Sequence, residues 1–344
     1  MKKSYKAAFI YSALLSAILT GCGNGSTKDY PDNKIMIKSI AAGRLHSFAF
    51  DDEGKIYAAG RNIGALGLEA VGKVNRFTEV TDLRDKNITA IAAGDDNSFA
   101  FGGGRIYGAG YNDNGQLGLG DKEVHSRFTE VTDLRDKNIT AIVSKEYSLA
   151  LSANGEVYIA GLNDNGWFGM GDDANHTVFT EVTDLRDKNI AAIATGYRFS
   201  LALCANGAVY AAGKNNNGQL GLGDNIDRAV FTEVTDLRDK NITAIFTGDK
   251  HALAFSNNGK IYAAGNNING QLGFSDKQNR NIFTEITDLE DKNITAAAIN
   301  YYHSFIVSEN GAVYAVGDNR YGQLGLSDAH HYVFTEVPFG LNGD

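Results

Sequence analysis

The sequence predicts an all-β propeller of six four-stranded blades, and three observations carry that prediction. The string Phe-Thr-Glu-Val-Thr-Asp-Leu begins at Phe77, Phe128, Phe179 and Phe231, with a near copy at Phe283 and a truncated one at Phe334, at spacings of 51 or 52 residues. Each repeat holds four short runs rich in Ile, Val, Phe or Tyr and bounded by Gly, Asn or Asp, the pattern of strands joined by tight turns. No stretch sustains helical periodicity. The composition agrees: 40 Gly and only 2 Pro, with 18 Phe and 16 Tyr, suit many turns between aromatic-rich strands.

From the N-terminus, residues 1–21 read as a secretory leader. Lys2, Lys3 and Lys6 form a basic start, and Ala7 to Leu19 is an apolar run too short to span a bilayer comfortably. The run ends in Leu19-Thr20-Gly21-Cys22, which resembles the lipobox of bacterial lipoproteins. That resemblance implies a thioether-linked diacylglycerol on Cys22, and so attachment to the lipid bilayer of a bacterial cell envelope. Gly23 is not the Asp that resembles an inner-membrane retention signal, so the expected destination in a Gram-negative cell is the outer membrane. Residues 22–36 are then a tether and 37–344 the propeller. The other cysteine, Cys204, sits in an apolar strand and reads as a small core residue.

Within the second repeat the strand candidates are Ile88 to Ala93, Ser98 to Phe101, Arg105 to Gly110 and Phe128 to Leu134. Arg135-Asp136-Lys137-Asn138 and its equivalents read as hairpin turns. The sixth repeat stops after Phe334 to Val337, while an extra Ile37-Lys38-Ser39-Ile40 strand stands at the other end. The expectation is that this N-terminal strand completes the C-terminal blade and closes the ring. No residues are left over for a seventh blade.

Two further elements recur: Ile/Val-Tyr-x-x-Gly, ending at Gly60, Gly110, Gly161, Gly213, Gly265 and Gly317, and Gly-Gln-Leu-Gly at Gly115, Gly218, Gly270 and Gly322. Together with Gly43-Arg44-Leu45-His46-Ser47-Phe48 they resemble the repeat of the regulator of chromosome condensation family. The resemblance spans nearly all of the chain beyond the leader. It implies a propeller, usually of seven blades. In eukaryotic members it implies nucleotide exchange on a small GTPase and chromatin binding. A formal net charge of −9 disfavours a nucleic-acid partner, because neutralising phosphates takes clustered Lys and Arg. Fold alone does not settle function.

The chemistry-bearing motifs read mostly as scaffold. Asn112-Asp113-Asn114-Gly115 looks like the start of a calcium loop, but the residue twelve from Asp113 is Val124, not a bidentate Glu. A turn is the better reading, and no metal or other cofactor is expected. His46-Ser47 and His303-Ser304 put imidazole beside hydroxyl, but neighbouring strand residues point to opposite faces. His330-His331 reads as a loop. Asp85-Lys86-Asn87-Ile88-Thr89 resembles a bacterial glycosylation acceptor, yet the repeat requires that turn anyway. No catalytic set is expected.

Comparing the repeats with one another gives the positive signal. Where the copies differ most is the segment after the first strand: Arg44-Leu45, Asp95-Asp96-Asn97, Lys145-Glu146-Tyr147, Tyr197-Arg198-Phe199, Asp249-Lys250-His251 and Tyr301-Tyr302-His303. Equivalent loops lie on one end of a propeller, so these form a ring, enriched in the residue types of binding hot spots. The partner-binding candidates are Tyr147, Trp167, Tyr197, Arg198, Phe199, Tyr301 and Tyr302. The expected function is a lipid-anchored scaffold that binds an unknown protein or envelope polymer without catalysis. A propeller lyase or hydrolase with an axial site, and a nucleotide exchange factor, are the alternatives.

Overall fold

The computed structural model describes residues 35–69, 72–327 and 330–339, and within them it contains six four-stranded antiparallel sheets. The leader, Cys22 and most of the expected tether lie outside the described residues. Each sheet is one blade, its strands running in chain order from the axis outwards. Blade two shows the pattern: Ile88–Ala93, Asn97–Gly102, Arg105–Gly110 and His125–Glu130. The expected fourth strand, Phe128 to Leu134, is instead two elements. The strand ends at Glu130, and Thr132–Leu134 makes a single 3-10 turn that drops Leu134 into the core.

The turn that follows explains the invariance of Asp-Lys-Asn. Asp136 and Asn138 both take positive φ, as do their equivalents in the other copies. Asp and Asn tolerate that region because their short polar side chains bond locally. The calcium-like loop is a turn too. Asn112 is fully buried; its side-chain oxygen accepts from the Leu117 amide and its amide donates to Asp121, while Gly115 takes φ of 82°.

Apolar clusters join neighbouring blades at five seams. Leu201, Leu203 and Val209 of blade four, for example, meet Ile242, Ile245 and Phe283 of blade five. From the second blade onward, the Phe of each Phe-Thr-Glu strand covers a glycine of the preceding blade: an added Cβ on Gly118 would lie 2.3 Å from the Phe179 ring, and one on Gly221 equally close to Phe283. These packed faces are why a lone repeat cannot bury its core.

The expected ring closure by the N-terminal strand is corrected. Ile37–Ala42 pairs with His46–Asp51 of its own blade, with Ala41 opposite Phe48. Blade six is complete without it, since Ile294–Ile299 supplies its first strand and His330–Glu336 its fourth. The physical reason is loop length. A short turn joins 42 to 46, so local hairpin pairing costs little closure entropy, and every repeat begins, not ends, with this strand.

Candidate functional site

Each first strand runs along the axis and then turns out over one end of the ring. In the variable triplet that follows, the three positions have separate fates. The first position faces the axis: Arg44, Asp95, Lys145, Tyr197, Asp249 and Tyr301, one from each blade, all line a cavity of about 440 Å³ at the channel mouth. Below it the channel continues between the first strands of all six blades. The third position turns inward between blades, where His46, Asn97, Tyr147, Phe199 and His251 are buried.

Two of the expected partner-binding residues are therefore core. Tyr147 and Phe199 have no exposed surface, and the Tyr147 hydroxyl donates to the Phe199 carbonyl while its ring stacks on Phe168 at 4.1 Å. An aromatic ring in that slot fills the wedge between neighbouring blades, which outweighs display at the rim. The histidines do the same. His46 Nε2 lies 2.8 Å from Ser98 Oγ and His251 Nε2 lies 3.1 Å from Ser304 Oγ, in each case across to the next blade. Each histidine thus bonds not the residue beside it but the serine that holds the Ser47 position one repeat on.

The remaining candidates gather at the mouth. Arg198 sits with positive φ of 62°, a strained conformation that non-glycine residues keep only where surroundings impose it. Its guanidinium lies 4.8 Å from the Trp167 ring centre and 5.2 Å from that of Tyr197. Arg198 Nε also donates to Glu146 at 3.0 Å, and Trp167 Nε1 donates to Asp227 at 2.8 Å. Lys214 stands 5.7 Å from the same indole and 5.8 Å from Tyr197. Such cation–π stacks fix flat, amphipathic groups at the edge of a cavity. Tyr301 and Tyr302 lie beside each other at 6.2 Å, with Tyr302 turned to solvent.

Of the charged members of the mouth, the sequence candidates include Arg198 but not Arg44, Asp95, Lys145 or Asp249, which stand in the same variable segments. Lys145 of blade three bonds Asp249 of blade five at 3.1 Å and lies 5.6 Å from the Tyr301 ring. Arg44 pairs with Asp96. Burial raises the Asp95 carboxyl above its ordinary value, against the opposing pull of Lys145 and Arg44. Burial also raises the Tyr301 phenol, with Asp95 and Asp249 adding to it. The signal that could have found these residues is positional: each lies one or two residues after the end of the axial strand. Lys214 and Tyr111, which also reach the mouth, directly follow the Gly of Tyr-x-x-Gly.

The mouth thus combines both signs of charge, stacked aromatic rings and partly dehydrated carboxyls. Among the described residues no group of three or more His, Cys, Asp or Glu is placed to hold a metal ion. Cys204 is buried and unpaired, its thiol raised by burial. The arrangement is suited to gripping a partner group by stacking and charge-assisted hydrogen bonds.

Two sequence profiles, each described as the Regulator of chromosome condensation (RCC1) repeat, match this chain. One covers residues 103–145, 206–255 and 258–307, the other 37–63, 190–219, 242–271 and 294–323. Together they span more than half of the sequence. The ultraviolet-B receptor UVR8 of Arabidopsis thaliana is 28% identical over 335 residues, covering 94% of this chain and 76% of the receptor. The human E3 ubiquitin-protein ligase HERC2 is 29% identical over 276 residues, which is 78% of this chain but only 6% of the ligase. Among solved structures, Prp20p of Saccharomyces cerevisiae superposes with a TM-score of 0.75 at 21% identity, covering 88% of this chain and 77% of that one. Human WBSCR16 gives 0.77 at 20% identity, covering 90% and 84%. At such identities the two structures speak for the fold.

Proposed function

The chain belongs to the regulator of chromosome condensation repeat family, and from that premise we propose that it is a lipid-anchored binding scaffold of a bacterial cell envelope. The mouth of its axial channel is the gripping surface, and it carries out no chemistry of its own. One observation carries this reading. The segment that varies most between repeats supplies one residue from each blade to the mouth, while the invariant residues build turns and seams. A scaffold under selection for one partner keeps its frame uniform and differentiates its rim. Prp20p, a structural relative, is described by its binding to Gsp1p and histones, which makes protein binding a natural use of this architecture. The acidic balance argues for a protein or envelope polymer over nucleic acid. The anchor rests on the lipobox-like Leu19-Thr20-Gly21-Cys22.

Crosslinking in the native cell followed by mass spectrometry would identify the partner. A variant with Tyr197, Arg198, Tyr301 and Tyr302 all changed to Ala is expected to lose it while remaining folded by circular dichroism. Undiminished partner recovery would remove the mouth from consideration. Radioactive palmitate should label the wild type and not Cys22→Ala; an unlabelled wild type would refute the anchor.

A further inference from the structure

The charged side chains that line the mouth can be matched one against another. Arg44 pairs with Asp96, Lys145 bonds Asp249 at 3.1 Å, and Arg198 bonds Glu146 at 3.0 Å. Among the described residues these pairs use every Lys and Arg that lines the cavity of about 440 Å³. Asp95 is left over. It faces the same cavity from blade two, is half-buried, and forms no hydrogen bond and no ion pair. Lys145 and Arg44 stand near enough to attract its carboxyl, but each already serves another carboxylate. The lining therefore carries one negative charge more than it has cations. Just outside, Lys214 and Asp227 both meet the Trp167 indole and offset each other.

The walls show what would satisfy that charge. The mouth already holds an ammonium of its own: Lys145 Nζ sits against the Asp249 carboxylate and 5.6 Å from the Tyr301 ring centre. The Arg198 guanidinium is held in the same way, by Glu146 and the rings of Trp167 and Tyr197. Both sites join a carboxylate to an aromatic face, the pairing that suits a cation. Asp95 shares its cavity with Tyr111, Tyr197 and Tyr301, and lacks only the cation. An anionic group entering here would meet Asp95 and would have to break an existing pair to find a counter-charge. A neutral group would dehydrate the carboxylate further and return nothing for it.

We propose that the mouth takes up one Lys or Arg side chain of a partner protein, its cationic head against Asp95 and its aliphatic stem along the tyrosine rings. The inference rests on the mouth being the gripping surface, and it names what is gripped. A long side chain with an apolar stem and a charged head matches a cavity of this size and mixed lining. The three existing pairs stay intact, because the incoming cation meets the one carboxylate that has no bond to lose. A charge-assisted contact ringed by aromatic side chains is also where binding energy concentrates. The same contact sets specificity: a partner with Glu or an uncharged side chain at this point would leave Asp95 buried without a counter-charge.

Small probes test the site without the partner. The full chain, labelled with nitrogen-15, is titrated with the acetylated methylamides of lysine and arginine, and its amide resonances are followed by NMR. The uncharged counterparts, built on norleucine and citrulline, serve as controls. The basic probes should give saturable shifts at residues 94–96 and 301, and the uncharged ones should not. Asp95→Asn, which removes a charge that bonds nothing, should keep the fold and weaken the basic probes about tenfold or more. Equal binding of basic and uncharged probes, or of wild type and Asp95→Asn, overturns the proposal. So does saturation by glucosamine with no response to the basic amides, which would point to an amino-sugar polymer. The crosslinked partner separates this inference from the one beneath it. Asp95→Asn should weaken that complex as it weakens the probes. If Asp95→Asn binds the partner fully while the fourfold alanine variant loses it, the cation is refuted and the mouth stands. If both bind fully, the mouth itself is refuted.

Discussion

At the scale of single residues, the third position of the variable triplet is the most instructive. It holds His46, Asn97, Tyr147, Phe199, His251 and His303, a variety that reads in sequence as part of a displayed ring. In the structure it is the plug between blades. Burial pushes the His46 imidazole down to about 4, against the upward pull of Asp96 and a backbone hydrogen bond at Asn97. Burial, with His303 and Lys145 adding to it, pushes His251 down to about 3. A base whose folded pKa lies below its unfolded value contributes full stability above about pH 6.5. That stability is lost as pH falls from there toward the folded values, because the unfolded chain takes up the proton first. Between about pH 7.5 and pH 5 the loss should be on the order of 4 kcal/mol for the two imidazoles together. Urea titrations at both pH values on wild type and on the double variant His46→Asn, His251→Asn would measure it. Asn already occupies the slot in blade two, and the variant should show the flatter pH dependence.

Elements obey simpler rules, and most were legible. The turn Arg-Asp-Lys-Asn was readable because positive φ selects a few residue types, and Asn241 takes φ of 52° as expected of such a turn. Asn241→Val should cost about 1–2 kcal/mol, since a β-branched side chain clashes in that region, while Asn241→Gly should stay within about 0.5 kcal/mol. Thermal denaturation of both variants would check the contrast. Strand ends were less legible: Val131 to Leu134 has strand-like composition but turns as a 3-10 helix, burying Val131 and Leu134 together. The partner of the first strand was also misassigned from sequence. A strand motif states that a strand forms; its pairing depends on chain reach, and the nearest neighbour wins.

For the whole molecule, the mouth joins blades that are distant in sequence. Lys145 and Asp249 are 104 residues apart, and their side chains are only 19% and 12% exposed. Lys145→Met would leave the buried Asp249 and the half-buried Asp95 without that cation. It should destabilise the protein by about 1–3 kcal/mol at neutral pH. The deficit should shrink toward pH 4, as the Asp95 carboxyl, raised by burial, takes up its proton and no longer needs the ammonium. Equilibrium unfolding at the two pH values would show it, and an equal deficit at both would mean that Lys145 acts through packing alone.

The sequence by itself determined the repeat, the blade count, the strand content and the turns, because these follow from local periodicity and from the backbone preferences of Gly, Asn and Asp. It also located the ring of variable loops. Which residue of each loop is displayed was decided only by tertiary structure. Tyr147 and Phe199 look like surface anchors in the chain, and Tyr197 and Arg198 look no different. The twist of the blade sends the first pair between sheets and the second to the channel mouth. The exposure of Phe77 is likewise invisible in sequence, since it is the same letter as its five buried equivalents. Burial depends on the neighbour that arrives, and a repeat records the face without recording whether it is covered.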